Sequence, residues 1–294
     1  MCERYICNNN KAKPDFMKLS VIITTYNAPA WLQKVLWGYE AQTFRDFEMV
    51  IADDGSTDET RSLIDSMRKE VAYPVQHIWH ADEGFRKCTI LNKAIVASQT
   101  DYLVISDGDC IPRKDFLEVH INKRRQGYFL SGGYSKLPMD ISQKITREDI
   151  FNQNCFDIDW LKANGLPATF KNNKFTAKGF KASLLNFITP THASWNGHNS
   201  SAWKKDIYAV NGFNEQMRYG ALDREMGERL ENSGIKGLQI RYSAVCVHLD
   251  HSRGYKNKED LARNKAIWMK SRKEKLTWIE DGIVKSAKPV SQPA

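Results

Sequence analysis

No apolar run in this 294-residue sequence approaches the roughly 18–20 residues of a membrane-spanning helix, and the opening MCERYICNNNKAKPDF has no apolar stretch behind a basic one. An integral membrane protein or a secreted one is therefore not expected. The six cysteines, at 2, 7, 88, 110, 155 and 246, form no C-x-x-C pair. That scatter argues against a zinc site and a dense disulfide framework, and for free thiols in a reducing cytoplasm. Neither G-x-G-x-x-G nor G-x-x-x-x-G-K-[ST] occurs, so neither a dinucleotide fingerprint nor a P-loop is supported. Internal repeats and low-complexity segments are also absent. What is there, 41% hydrophobic and 27% charged residues, is the composition of a globular protein. The length suits one large α/β domain, alone or with an appendage.

The formal net charge is +8, and the excess is concentrated. Between Lys256 and Lys275 eight basic residues face three acidic ones, a local +5. A basic tail on a nearly balanced body points to an acidic surface, phospholipid or nucleic acid, or simply to a solvated helix face.

Leu19–Thr24 is a short β-branched run that reads as a strand buried on both faces. Pro29 opens a helix carrying Trp31, Leu32, Val35, Leu36 and Tyr39. Phe47–Ala52 predicts a second strand, and Thr57 caps a helix with Leu63, Ile64 and Met67 on its apolar face. Val75–Trp79, a helix over Thr89–Ser98 and a strand over Tyr102–Ser106 follow. Four strands alternating with helices imply right-handed βαβ units and a parallel sheet. Residues 134–190 are irregular and read as loops and short elements around a pocket. Helices are expected over Trp203–Val210 and Asp223–Ser233, and short strands over Leu238–Tyr242 and Ala244–His248.

Polar clusters fall at the expected carboxyl ends of the four strands: TTYN, DDGS, HADEGFRK and DGD. Ligands of parallel sheets bind beyond those ends. Asp107-Gly108-Asp109 presents two carboxylates that suit a hard cation, although Asp-Gly is also a common turn dipeptide. Asp53 and Asp54 invite the same two readings, turn or ligand for a base or ribose. Arg86 and Lys87 supply charge for a diphosphate, or form an exposed basic pair.

The segments SVIITTYNAPAWLQKVL, FEMVIADDGSTDET, GFRKCTILNKAI, YLVISDGDC, WNGHNSSAWKKDIYAVNGFNEQM, YGALDREMGERLENSGIKG and VCVHLDH, over roughly residues 18–252, make the chain resemble the family 2 inverting glycosyltransferases of the GT-A fold. That resemblance implies a Rossmann-like nucleotide-binding half (17–110) with a mostly parallel central sheet, a smaller acceptor half (111–252), a polar leader (1–16) and a C-terminal helical extension (253–294). By position it gives Thr24, Tyr26 and Asp54 to the nucleotide, Asp54 to the uracil base. It gives Asp107 and Asp109 to the DxD motif, Asp109 as the direct ligand of Mn²⁺ or Mg²⁺, and His248 to the completed metal site. Asp223 is the implied catalytic base, and Asn199, Trp203 and Trp195 belong to the donor-sugar and acceptor pocket. Leu222 departs from the pattern, standing where many members carry Glu.

The activity so implied is transfer of a hexose or N-acetylhexosamine from a UDP-sugar to a hydroxyl of a glycan or lipid-linked acceptor, in capsule or lipopolysaccharide synthesis. It would take place in the cytoplasm, at the inner face of the plasma membrane. Around Leu261, Ile267, Trp268, Leu276, Trp278 and Ile279 the basic extension either lies on an anionic bilayer or docks on the catalytic domain. Three other readings compete. A sugar-phosphate nucleotidyltransferase needs a glycine-rich phosphate loop that TTYNAPA is not. A nucleic-acid binder is opposed by acids clustered at the strand ends, so no nucleic-acid partner is expected. An inactive sugar-nucleotide-binding relative rests on Leu222.

Overall fold

The computed structural model describes residues 18–252 and 257–285; the expected leader, 1–16, and parts of the extension lie outside them. Strands β1 (Leu19–Thr25), β2 (Phe47–Asp53), β3 (Val75–Trp79) and β4 (Tyr102–Asp107) run parallel. Helices α1 (Pro29–Glu40), α2 (Asp58–Glu70) and α3 (Lys87–Ala97) are the crossovers between them. Period-two alternation divides the core into two layers. Leu19, Val21 and Ile23 face Val35, Leu36 and Ile64 on one side of the sheet. Ile22, Val50, Ala52, Leu103 and Ile105 face Ile90, Leu91, Ala94 and Ile95 of α3 on the other. Covered on both faces, these strands read as unbroken apolar runs. The order β3-β2-β1-β4 reverses direction at β1, which opens a crevice at the carboxyl ends of β1 and β4.

After β4 come β5 (Cys110–Pro112), α4 (Phe116–Lys123), β6 (Tyr128–Ser131) and β7 (Gly133–Lys136). The stretch expected to be irregular holds five short helices after β7: α5 (Met139–Lys144), α6 (Arg147–Phe151), α7 (Ile158–Ala163), α8 (Asn173–Thr176) and α9 (Gly179–Ile188). Then follow β8 (Ser200–Trp203), α10 (Lys204–Ala209), α11 (Leu222–Asn232), β9 (Lys236–Gln239), β10 (Val245–His248) and α12 (Lys258–Lys273). The central sheet has seven strands in the order β3-β2-β1-β4-β8-β6-β9, with β8 antiparallel to both neighbours. It therefore runs across the division expected after residue 110. A second sheet, β5-β10-β7, buttresses its carboxyl edge.

Two expected elements are corrected. Residues expected as one helix from Trp203 begin as strand, because Trp203 pairs in register with Tyr102 and the helix starts at Lys204. The strand expected over Leu238–Tyr242 lies at Lys236–Gln239, paired with β6.

The C-terminal extension docks on the body. Asn264 is fully buried, and its Nδ2 donates to the carbonyls of Arg218, Tyr219 and Gly220 at 2.7, 3.1 and 2.9 Å. Ser271 Oγ donates to Glu225 at 2.9 Å, and Arg224 stacks over Trp268. Beyond α12, Asn211 Nδ2 clasps the carbonyls of Ile279 and Val284. Under α12, Glu225 and Arg229 form an ion pair at 2.7 Å with both side chains 0% exposed. No helix among the described residues is long and apolar enough to cross a membrane.

Candidate active site

The first strand-end loops are tied to one another. Asn27 N–H donates to Ser56 Oγ at 2.9 Å, and Thr57 N–H to Asn27 Oδ1 at 2.9 Å. Successive strand residues face opposite sides, so the acid pair divides. Asp53 Oδ2 accepts from His77 Nε2 at 2.8 Å, and Asp54 Oδ1 accepts from His80 Nε2 at 2.8 Å. The other oxygen of Asp54 accepts the N–H of Arg86 at 3.0 Å. Asp54 is thus the anchor of the β3–α3 loop, which folds back until a Cβ on Gly55 would lie 2.6 Å from Asp82 Cα. Above it Tyr26 is half exposed and donates its hydroxyl to Asp82 at 2.8 Å.

At the crevice, Lys87 begins α3 and reaches Asp107 Oδ1 at 2.6 Å; Thr24 Oγ1 donates to the same oxygen at 2.9 Å. Burial pushes the Asp107 carboxyl up, but the Lys87 ammonium outweighs it and holds the group at about 2. Burial likewise disfavours the Lys87 ammonium, and the charges of Asp107, Asp223 and Asp109 reverse that and raise it. Three carboxylates therefore surround one cation. Asp223, in the first turn of α11, receives the Gly197 N–H, yet burial and the nearby Asp107 charge lift it to about 6 against the pull of Lys87. Its Oδ1 is buried and has no hydrogen-bond partner among the described residues.

Gly108 N–H donates to Thr24 O at 2.8 Å, and a Cβ on Gly108 would sit 2.7 Å from that oxygen. The tight turn sets Asp109 beside β10, where Leu249 N–H donates to the Asp109 carbonyl at 2.9 Å. There His248 Nε2 lies 3.6 Å and His251 Nε2 3.0 Å from Asp109 Oδ2. The donor atoms of Asp109, His248 and Cys110 fall within 4.8 Å of one another. Burial pushes the Cys110 thiol well above its ordinary range, and a hard cation prefers oxygen ligands to sulfur. The buried Nδ1 of His248 lacks a partner among the described residues. A carboxylate oxygen beside imidazole nitrogens suits Mn²⁺ or Mg²⁺, so the residues present fit the implied metal.

Other expected residues stand elsewhere. The Arg86 guanidinium turns to Glu83 on the surface, so Arg86 and Lys87 do not act as a pair. Trp195 is 0% exposed and packs on Phe129, with its Cβ side against Gly227; it has no face for a sugar. Trp203 meets Tyr102 edge to face, at the opposite end of β4 from Asp107, about 16 Å away at the usual strand rise. Asn199 is also fully buried and structural. Its Nδ2 donates to the carbonyls of Gly133 and Ala244 at 2.9 and 3.0 Å, and its Oδ1 faces His120 Nε2 at 3.0 Å. Leu222 is 5% exposed in the apolar core, where it offers nothing to an acceptor.

In their place the fold brings His198, His251, Tyr134 and Gly197 to the crevice. His198 and His248 both lie against the Tyr134 ring, at 4.3 and 5.5 Å between centroids, and His251 stacks on His248 at 5.4 Å. Burial drives His198 down to about 4, so it is neutral beside Asp107. The only sequence signal for it was its place in GHNSS, two residues before the start of β8.

Residues 20–167 match the family model for glycosyl transferase family 2. A Campylobacter jejuni protein, GalNAc(5)-diNAcBac-PP-undecaprenol beta-1,3-glucosyltransferase, is 38% identical over 173 residues, 57% of this chain and 53% of its own length. In backbone the chain resembles the mannosyltransferase PcManGT of Pyrobaculum calidifontis, solved with GDP-Man and Mn²⁺. The TM-score is 0.54 at 18% identity, over 81% of this chain and 58% of that one. It also resembles residues 1–349 of S. aureus TarS solved with UDP-GlcNAc, with a TM-score of 0.57 at 16% identity over 88% of this chain and 69% of that one. At such identities the likeness shows the fold. The chain spans 56%, 52% and 39% of the length of three other curated relatives.

Proposed function

The chain belongs to glycosyl transferase family 2, and from that premise we propose an inverting, metal-dependent transfer of a hexose or N-acetylhexosamine from a UDP-sugar to a hydroxyl of a glycan or lipid-linked acceptor, at the inner face of the plasma membrane. The observation that carries this reading is the placement of Lys87 among Asp107, Asp109 and Asp223, with an oxygen of Asp223 left unpartnered among the described residues. The neighbour bound to UDP-GlcNAc, the one bound to GDP-Man and Mn²⁺ and the relative named for a polyprenyl diphosphate substrate support donor, metal and acceptor class in turn.

Asp109 and His248, with His251 beside them, would hold the divalent cation, which would supply Lewis-acid stabilisation of negative charge when bound. Tyr26 and the loop anchored by Asp54 frame the nucleotide, and Thr24 and Lys87 fix Asp107 at its edge. Lys87 carries positive charge into a buried site, where it opposes the negative charge that develops on the leaving diphosphate. The anomeric C–O bond breaks with its electron pair left on the diphosphate oxygen. The acceptor oxygen bonds to the anomeric carbon from the opposite face, and its proton passes to Asp223. A single displacement of this kind inverts the anomeric centre and requires no enzyme nucleophile.

Incubating the protein with a panel of UDP- and GDP-sugars and Mn²⁺, and following nucleotide release, tests the assignment. Release from one UDP-sugar that stops on chelation and returns with Mn²⁺ is expected. Release from none of the donors overturns the reading.

A further inference from the structure

A second surface stands apart from the crevice. Helix α9 carries Phe180, Leu184, Phe187 and Ile188 at i, i+4, i+7 and i+8, a spacing that puts them on one face. That stripe points outward. Phe187 is 88% exposed, Phe180 82% and Ile188 58%, and Phe170 just before α8 is 73% exposed. The opposite face, through Ala182 and Leu185, packs against Tyr242. An amphipathic helix normally buries its apolar stripe; this one displays it, and a cluster of exposed aromatics marks an interaction surface.

The charge around the stripe identifies what it meets. Lys171, Lys178 and Lys181 are exposed beside it, and the sequence has no Asp or Glu between Asp159 and Asp206. Phenylalanines on one face with lysines at the flanks and no acid on α8, α9 or the segment between them match an anionic bilayer surface, where rings enter the acyl boundary and ammonium groups meet phosphates. A second copy of the chain fits poorly, since a two-fold contact would set lysines against lysines. We propose that α9, with Phe170 and these lysines, docks the protein on an anionic lipid membrane.

This places the membrane contact away from the basic C-terminal helix, whose Asn264 and Ser271 are spent on α11 and the loop before it. It also links the membrane to the crevice. Lys174 donates its ammonium to the Tyr134 carbonyl, and the Tyr134 ring is the one lying against His198 and His248. Tyr134 is thus the link between Lys174, on the helix preceding α9, and His248 beside Asp109.

The test is sedimentation of the full chain with vesicles of phosphatidylcholine alone or mixed with phosphatidylglycerol. Binding is read without turnover, so its failure and the failure of the proposed reaction are separable. The wild-type chain is expected to pellet with the anionic vesicles alone and to be released by salt. K178E/K181E should weaken binding by about ten-fold or more, and F180S/F187S should abolish it with an unchanged thermal melt. K270E/K273E, on α12, should bind as wild type. The proposal is overturned by absence of pelleting, by undiminished binding of the α9 variants, or by loss of binding in the α12 variant. A dimer that F187S converts to monomer in light scattering would equally overturn it, as the stripe would then be a subunit contact.

Discussion

Asp223 and Gly197 are in such close contact that a Cβ on the glycine would come within 2.9 Å of Oδ1 and 3.0 Å of Oδ2. The glycine gives the carboxylate both a backbone N–H and the room to stand beside it. Gly197→Ala should lower kcat by about 100-fold, because a displacement of about 1 Å in a reacting group has that effect. Steady-state kinetics with a melting curve checks it; an unchanged kcat would show that Asp223 is not the group whose position matters.

Removing the base without moving it is the sharper substitution. Asp223→Asn should reduce kcat by roughly 10²–10⁴ while UDP still binds. Asp109→Ala should instead abolish the Mn²⁺-dependent part of UDP binding in calorimetry. Equal effects of the two variants on nucleotide affinity would contradict the division of labour between the two sides of the crevice.

The pH profile carries the same assignment. Asp223 accepts a proton only when ionised, and its carboxyl is lifted to about 6. The plot of kcat/KM should fall about ten-fold per pH unit below that value and flatten above it. A limb at the ordinary carboxylate range, near pH 4, would identify another group as the base.

His120 gives a stability counterpart. It is fully buried between Ser201 Oγ and Asn199 Oδ1, and burial lowers it to about 4. The unfolded chain binds this proton below about 6.5 and the folded chain does not, so the folded state loses ground as pH falls from there toward 4. His120→Gln should remove about 1.4 kcal/mol per pH unit from the slope of unfolding free energy in that window, measured by urea titration.

Glu225 and Arg229 are both fully buried, and Arg229 also donates to the carbonyls of Val210 and Gly212. Arg229→Met should cost about 3–5 kcal/mol because it strands a buried carboxylate, whereas E225L/R229M together should recover much of that loss. Thermal unfolding of the three proteins checks the order.

The parallel half was legible because strands covered on both faces are mostly apolar, with β3 at the edge marked by its β-branched and aromatic ends instead. Val75–Trp79 has its expected bounds, and β1, β2 and β4 extend one residue further, into Thr25, Asp53 and Asp107. β8 was not legible: Ser200 and Ser201 are buried with small polar side chains, satisfied by contacts such as those of Ser201 with His120 and Tyr102. At the site, Asp107, Asp109, Lys87, His248 and Asp223 gather as strand ends and a helix start dictate. Arg86 does not, since neighbours at a helix start diverge by about 100°. Trp195 and Asn199 show the limit of residue type alone, because an indole or amide in a polar stretch serves packing as readily as ligand contact.

Helices α6 and α7 are capped at their N-termini by side chains of their own segment. Thr146 and Asp149 form a reciprocal cap, and Asp157 accepts the N–H groups of Asp159 and Trp160. None of those bonds draws on Lys87, Asp107, Asp109 or Asp223. Loss of either cap would therefore loosen its own helix and leave the reactive carboxylates where the sheet ends and α11 hold them.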